Sequence, residues 1–490
     1  MTVRDLLLAH ADDDRPALRW REAGEICEIS WREYVEAAIR LAERLELRLS
    51  AEAPPHVGVL LPNGPAFALH LAAAGFGGHV LVGLNSTRQG ASLDADIAKA
   101  DCQFVVDSPD LAMTSLADTG HASLANTVPT SDSLFMLVFT SGTSGAPKAV
   151  RITHDKVTIP GTHLAGRLGL TADDVIYVSM PLFHSNAVMA GWAPAIASGA
   201  AFAVTQFSAS GFLPDVREFG ATYANYVGKP LAYVLATPEH PDDADNPLRI
   251  VFGNEANEGD IEEFGQRFGC VVVDSYGSSE NAVVVQRQPG MPRGSLGWPM
   301  DGVKVLAPDG TETADAEFDS AGRLTNPDAA IGELVNTTGA GAFAGYYNDE
   351  AAETERMRGG MYWSGDLAYR DGNGWIYFAG RTSGWLRVDG ENLATAPIER
   401  ILLRHPAVSE AAVYAIPDRV GDKVACALVL RGPLTADELW SFLGEQGDLS
   451  PKAWPSTVRI LDTLPRTATN KVLTRDLRDL PDDIGTTWTR

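Results

Sequence analysis

The sequence predicts an α/β protein: a long region of strands alternating with helices, then a β-rich stretch, then a separate α+β region. Three observations carry this. Short β-branched runs alternate with amphipathic segments as far as Asp274, the pattern of βαβ units and a largely parallel sheet. From about Gln286 to Gly380 the texture changes to short strands broken by many glycines. Beyond Arg381 helical and strand patterns mix over about 110 residues, a normal size for one domain.

Taken in order, residues 15–50 read as a short hairpin and an amphipathic helix from Trp31 to about Leu47. Residues 56–61, 80–84 and 104–106 are predicted strands, separated by helices at 64–75 and 91–100. Residues 118–133, rich in Ser, Thr and Asp, are a predicted loop leading into an apolar strand at 134–139. Strands follow at 221–227, 249–252 and 271–274, with helices at 231–236 and 258–268. In the last region 396–403 and 435–443 read as helices, and 408–416 and 424–430 as strands. Residues 188–207 carry no charge and are long enough to cross a membrane. Gly191, Pro194 and Gly199 point instead to a buried helix and a core strand at 201–205.

At 490 residues the chain exceeds what one hydrophobic core serves, so two or more domains are expected. Lys and Arg number 39 against 64 Asp and Glu, a net charge of −25. That field repels nucleic acid and anionic membranes, so neither is an expected partner. A nucleotide in a local basic pocket is still allowed. The cysteines (Cys27, Cys102, Cys270, Cys426) are scattered, with no C-x-x-C pair and no histidine cluster to complete a zinc site. They read as reduced core residues of a cytoplasmic protein. The first residues carry no signal-peptide apolar run.

The strongest chemical signal is the run Thr140-Ser141-Gly142-Thr143-Ser144-Gly145-Ala146-Pro147-Lys148. Small hydroxyl residues and glycines let backbone N–H groups and hydroxyls wrap phosphate oxygens, and Lys148 adds a point charge. It is not a Walker A loop, which needs Gly directly before the lysine, where Pro147 stands. Five further segments fit one chemistry: Pro181-Leu182-Phe183-His184, Tyr276-Gly277-Ser278-Ser279-Glu280, Tyr362-Trp363-Ser364-Gly365-Asp366, Gly380-Arg381, and Pro465-Arg466-Thr467-Ala468-Thr469-Asn470-Lys471. Alone, each has a plainer reading: solvated loop carboxylates at Glu280 and Asp366, a surface lysine at 471, a core aromatic at 276. Together, and in this order, those readings give way.

In order and spacing these segments resemble the core motifs of the adenylate-forming superfamily: acyl-CoA synthetases, peptide-synthetase adenylation domains and luciferases. Phe252-Gly253-Asn254-Glu255-Ala256, the segment 225–234 and Val388-Asp389-Gly390-Glu391-Asn392 are similar to the fatty-acid-transport-protein and very-long-chain acyl-CoA synthetase branch. Actinobacterial ligases of fatty-acid and steroid side-chain catabolism share them.

The resemblance implies a large N-terminal domain, 1–381, with two α/β sheets and a β-rich subdomain, and a small mobile α+β domain, 382–490. It implies an ATP-dependent ligase that makes an acyl-adenylate from a carboxylic acid and then the coenzyme A thioester, with Mg2+. A carboxylate attacking a phosphate meets anion–anion repulsion, so cations and donors must stabilise the transition state. By resemblance Thr140, Ser141, Gly142, Thr143, Ser144, Gly145 and Lys148 hold phosphates. Thr140 and Glu280 serve the metal. Gly253, Asn254, Asp274, Ser275, Tyr276, Gly277, Ser278 and Ser279 surround the adenine side. Asp366 and Arg381 take the ribose, and Lys471 bridges the acid and the α-phosphate. His184, Trp192, Tyr226 and Val227 border the acyl group, and Gly390 with Glu391 borders coenzyme A.

Departures are few. Ser144 and Ser279 keep the hydroxyl of the commoner Thr, Asn470 precedes the lysine in place of Gly, and Thr382-Ser383-Gly384 lacks the usual hinge Asp or Lys. Two alternatives stand beside the ligase: an acyl-AMP ligase loading a carrier protein, and a non-catalytic nucleotide- or acyl-binding homologue. Medium-to-long fatty acids and steroid side-chain acids are equally open as substrates, and a homodimer is left open.

Overall fold

The computed structural model describes the chain except residues 121–127, 141–146, 257, 289, 321–323, 382–384, 389–390, 418–421, 447–448, 450, 467–471 and 482–483, and except the side chains at 381, 385, 387, 391, 392, 394 and 475. The chain forms two compact units, Met1–Asn281 with Ala342–Thr354, and Ala282–Gly341 with Glu355–Arg490.

The first unit holds two sheets. In the seven-stranded sheet the spatial order is Val271–Ser275, Ile250–Asn254, Tyr223–Val227, Val175–Val178, Ala201–Val204, Pro16–Glu22 and Glu25–Ser30. Its pairs are parallel apart from the hairpin at the Glu25–Ser30 edge. The five-stranded sheet runs Phe104–Val106, His56–Val59, Val80–Gly83, Leu134–Thr140 and Lys148–Thr153, antiparallel only in the last pair. The inner strands are apolar throughout because helices cover both faces of such sheets. His56–Val59, Val80–Gly83, Val175–Val178 and Tyr223–Val227 are accordingly buried along their whole length.

The alternation read from the sequence holds to within a few residues. The helix Trp31–Glu46 starts at a Ser30/Glu33 capping box, and Glu258–Phe268 has the expected bounds. Several helices were not anticipated, and three of them are eight residues or longer. His154–Leu168 contains Pro160 and stops at left-handed Gly169. Phe212–Phe219 is short and carries a proline, and Asp110–Ala117 lies where no period stood out. The uncharged stretch resolves into a π-helix, Ala187–Trp192, a helix, Ala193–Ser198, and a core strand, Ala201–Val204. Among the described residues no helix is long and apolar enough to cross a membrane.

In the second unit, strands Val285–Gln286, Ser295–Pro299, Ile376–Arg381, Met361–Arg370, Gly332–Asn336 and Val303–Leu306 form an antiparallel sheet in that order. A four-stranded sheet, Val408–Pro417, Asp422–Leu430, Thr457–Ile460 and Thr486–Thr489, packs its apolar face on helices Thr395–Leu402 and Ala436–Glu445. The expected boundary at 381 falls within this unit, between those two sheets.

Candidate active site

Leu134–Thr140 and Lys148–Thr153 form a hairpin in which Thr140 stands opposite Lys148. The loop residues Ser141, Gly142, Thr143, Ser144 and Gly145 lie outside the described residues, but both ends of the loop are fixed by the pairing. Lys148 is buried, which is costly for an ammonium without partners. Its Nζ lies 5.3 Å from the centroid of the Tyr346 ring, within cation–π range. The segment around Tyr346 adds to the outer edge of the hairpin: the Arg151 N–H donates to the Gly345 carbonyl (3.1 Å) and the Tyr347 N–H to the Ala149 carbonyl (2.8 Å). The Tyr346 hydroxyl then donates to Glu280 Oε1 at 2.8 Å. A second lysine, Lys156, is buried on the following helix. Burial pushes its pKa down to about 8, while Glu280 and Asp155 pull the other way by favouring the ammonium.

A second group of residues forms at the carboxyl ends of two parallel strands, where open α/β sheets bind ligands. Gly253 pairs with Asp274 and Asn254 with Ser275. A Cβ on Gly253 would collide with the Tyr226 carbonyl and ring, so only glycine fits. Tyr226 donates its hydroxyl to Asp274 Oδ2 at 2.6 Å, and the Ala256 N–H reaches the same oxygen at 3.0 Å. Asn254 Nδ2 donates to the Ser275 carbonyl (2.6 Å) and hydroxyl (2.9 Å). Its Oδ1 accepts from Asn186 Nδ2 at 3.3 Å, and Asn186 Oδ1 accepts from Asn225 Nδ2 at 2.7 Å. Ser185 and Ser279 share a hydrogen bond of 2.7 Å. His184 and Tyr276 are half-buried, while Gly277 and Ser278 are exposed. The His184 N–H closes a turn on the Pro181 carbonyl at 2.9 Å.

The residues expected around the acyl group are not gathered at one cavity. Successive side chains of a strand point to opposite faces. Asn225 turns to Asn186, whereas Tyr226 turns to Asp274 and borders a small cavity of about 10 Å3 also lined by Phe212, Leu231, Val234 and Phe264. Trp192 is sealed in the core: its Nε1 donates to the Tyr34 hydroxyl (3.0 Å), and its ring stacks on Phe135 at 6.1 Å. Val227 is buried at its strand's end.

In the second unit, Asp366 and Arg381 are direct partners across Met361–Arg370 and Ile376–Arg381. Asp366 is half-buried. Gly365 before it holds a φ of +77°, and a Cβ there would meet the Arg356 guanidinium. The side chains of Arg381 and Glu391, and residues Gly390 and Lys471, lie outside what the structure describes.

Tyr346, Lys156 and Asn186 escaped the sequence reading. Tyr346 reaches Glu280 only through the fold, and Lys156 looked like any lysine on a helix. The donor set at Thr140 and Glu280, a hydroxyl and a carboxylate, is of the hard-oxygen kind Mg2+ prefers. Two buried ammonium groups nearby suit a polyphosphate.

This chemistry agrees with the comparisons to known proteins. The AMP-binding enzyme family matches residues 8–347, and the AMP-binding enzyme C-terminal domain matches residues 397–471. The chain belongs to the AMP-binding enzyme family, the adenylate-forming acyl-CoA ligases. It is 53% identical to the medium/long-chain-fatty-acid–CoA ligase FadD17 of Mycobacterium marinum, over 91% of each chain. It is 45% identical to the steroid-22-oyl-CoA synthetase of Rhodococcus jostii, over 98% of this chain and 91% of that one. Among solved structures, the O-succinylbenzoate coenzyme A synthetase of Bacillus subtilis in complex with AMP superimposes with a TM-score of 0.80. It is 25% identical over 98% of this chain and 99% of that one.

Proposed function

We propose that this protein activates a medium- or long-chain fatty acid, or a steroid side-chain acid, with ATP and passes the acyl group to coenzyme A in the cytoplasm. The observation that carries the reading is the Lys148–Tyr346–Glu280 group beside Thr140, with Lys148 and Tyr346 buried, at the loop end of the hairpin. The acid class is supported by the two relatives whose names specify fatty-acid and steroid acyl groups.

In the first half-reaction the substrate carboxylate attacks the α-phosphorus, and pyrophosphate leaves. Thr140 and Lys148, with Ser141 to Gly145, hold the departing phosphates, and Lys148 neutralises charge as it builds. Glu280 and Thr140 would hold Mg2+, which supplies further charge neutralisation at the phosphates. Tyr276, Asn254 and the Gly253 backbone flank the adenine. Asp274, already bonded to Tyr226 and Ala256, fixes that wall. Asp366 accepts the ribose hydroxyls, Arg381 supports them, and Lys471 bridges the carboxylate and the α-phosphate.

In the second half-reaction the thiol sulfur attacks the acyl carbon, AMP leaves and the thiol proton goes to solvent. Residues 382–490 form a domain that turns between the two steps, withdrawing Lys471 and bringing Gly390 and Glu391 to the thiol. His184 borders the acyl entrance. The test is AMP release from ATP and Mg2+ across fatty, aromatic and steroid acids, with and without coenzyme A. Release that requires coenzyme A and one of the two proposed acid classes supports the reading. Release that coenzyme A does not accelerate, or that only aromatic acids elicit, would overturn it.

A further inference from the structure

Tyr346 is buried in the first unit. A phenylalanine would fill the same volume, so the hydroxyl needs its own explanation. Four observations fix the side chain. The backbone on either side is bonded to Lys148–Thr153 through Gly345 and Tyr347. Its own N–H donates to Glu353 Oε1 at 2.7 Å. Gly345 holds a φ of +90°, and a Cβ there would collide with the Glu353 carboxylate. Phe343 packs edge-on against the ring at 4.9 Å. Among the described residues, two polar neighbours of the ring carry opposite charge. Its face meets the Lys148 ammonium, and its hydroxyl meets the Glu280 carboxylate.

We propose that Tyr346 is a positioning residue of the nucleotide site, a spacer that keeps Lys148 and Glu280 apart and aims each at its own target. Direct contact would let the ammonium and carboxylate neutralise each other, and neither would then serve phosphate or Mg2+ fully. With the ring between them, Lys148 keeps its charge against a π face, whose attraction is modest enough for a phosphate to outcompete. Glu280 is held through Oε1 in one orientation, so it loses little rotamer freedom when a cation arrives. This inference rests on the roles given above to Lys148 and Glu280.

The experiment compares wild type, Tyr346→Phe and Tyr346→Leu. Calorimetry of Mg2+ and ATP binding without acid is run beside acyl-adenylate formation at graded Mg2+. Tyr346→Phe keeps the ring and loses the hydroxyl. The Mg2+ concentration for half-maximal binding is expected to rise about tenfold, the worth of one hydrogen bond to a charged group, with little change in ATP affinity at saturating Mg2+. Tyr346→Leu also removes the ring face, so ATP affinity at saturating Mg2+ is expected to fall as well. If Tyr346→Phe matches wild type in Mg2+ dependence, the proposal is wrong, even where thermal melting shows a loss of stability. The binding arm needs no acid. Wild type that binds Mg2+ and ATP yet activates no acid would therefore count against the proposed function and leave the Tyr346 result readable.

Discussion

Lys148 and His70 are both buried polar side chains of the first unit, and their surroundings could hardly differ more. Lys148 meets an aromatic face whose hydroxyl is tied to a carboxylate. His70 and its neighbour His79 are buried. Among the described residues neither His70 nitrogen nor Nδ1 of His79 has a hydrogen-bond partner. Burial drives their pKa values down to about 3 and about 4, with a further push on His70 from His79. One environment sets a lysine against an aromatic face, and the other tolerates a polar ring only while it is neutral.

The largest effect is expected from removing the Lys148 ammonium. Lys148→Ala should lower the rate of acyl-adenylate formation by about a hundredfold to a thousandfold, the range for losing a preorganised donor to a developing charge. The chain should still fold, as followed by thermal melting. A loss below about tenfold would place Lys148 among structural residues. Gly253→Ala forces a methyl group against the Tyr226 carbonyl and ring. It should cost about 1–3 kcal/mol by overpacking, read as a lower midpoint in urea.

The histidine side of the comparison is tested by pH. Both rings have folded pKa values below the free value of 6.5, so the unfolded chain binds more protons below that pH. Stability is therefore full above about pH 6.5 and is lost as pH falls toward 4. Each ring should contribute a loss of about 2 kcal/mol between pH 7 and pH 5. His79→Leu should remove its share of that slope in urea titrations at the two pH values, and an unchanged slope would reject the assignment. The smallest effect on nucleotide binding is expected at Tyr34→Phe. It removes a hydroxyl that donates to the Ala68 carbonyl at 2.6 Å and accepts from Trp192 at 3.0 Å, at a cost of about 1–3 kcal/mol and with no direct effect on nucleotide binding.

Much of the first unit was legible in the sequence because apolar strands buried on both faces announce themselves. The π-helix at Ala187–Trp192 was not, since its extra residue per turn has no apolar period to betray it. The edge strand Lys148–Thr153 was also unseen. It follows a motif so strongly marked that the residues after it, KAVRIT, drew no separate reading. In the site, Thr140 and Lys148 could be named from spacing, and the hairpin places them opposite each other. Gly253 and Asp274 likewise fall side by side. Trp192 and Tyr226 were grouped by sequence neighbourhood. Strand alternation sends Tyr226 to one face, and the Tyr34 hydroxyl claims the Trp192 indole. Tyr346 was illegible because its meaning is a contact 66 residues away.

The role assigned to the Lys148–Tyr346–Glu280 group is adenylate formation, a step that needs no thiol. Acid-dependent exchange of labelled pyrophosphate into ATP, in the absence of coenzyme A, measures that step alone. Exchange should require both the acid and Mg2+ in wild type and be nearly absent in Lys148→Ala. Exchange without added acid, or equal exchange in the two proteins, would contradict it.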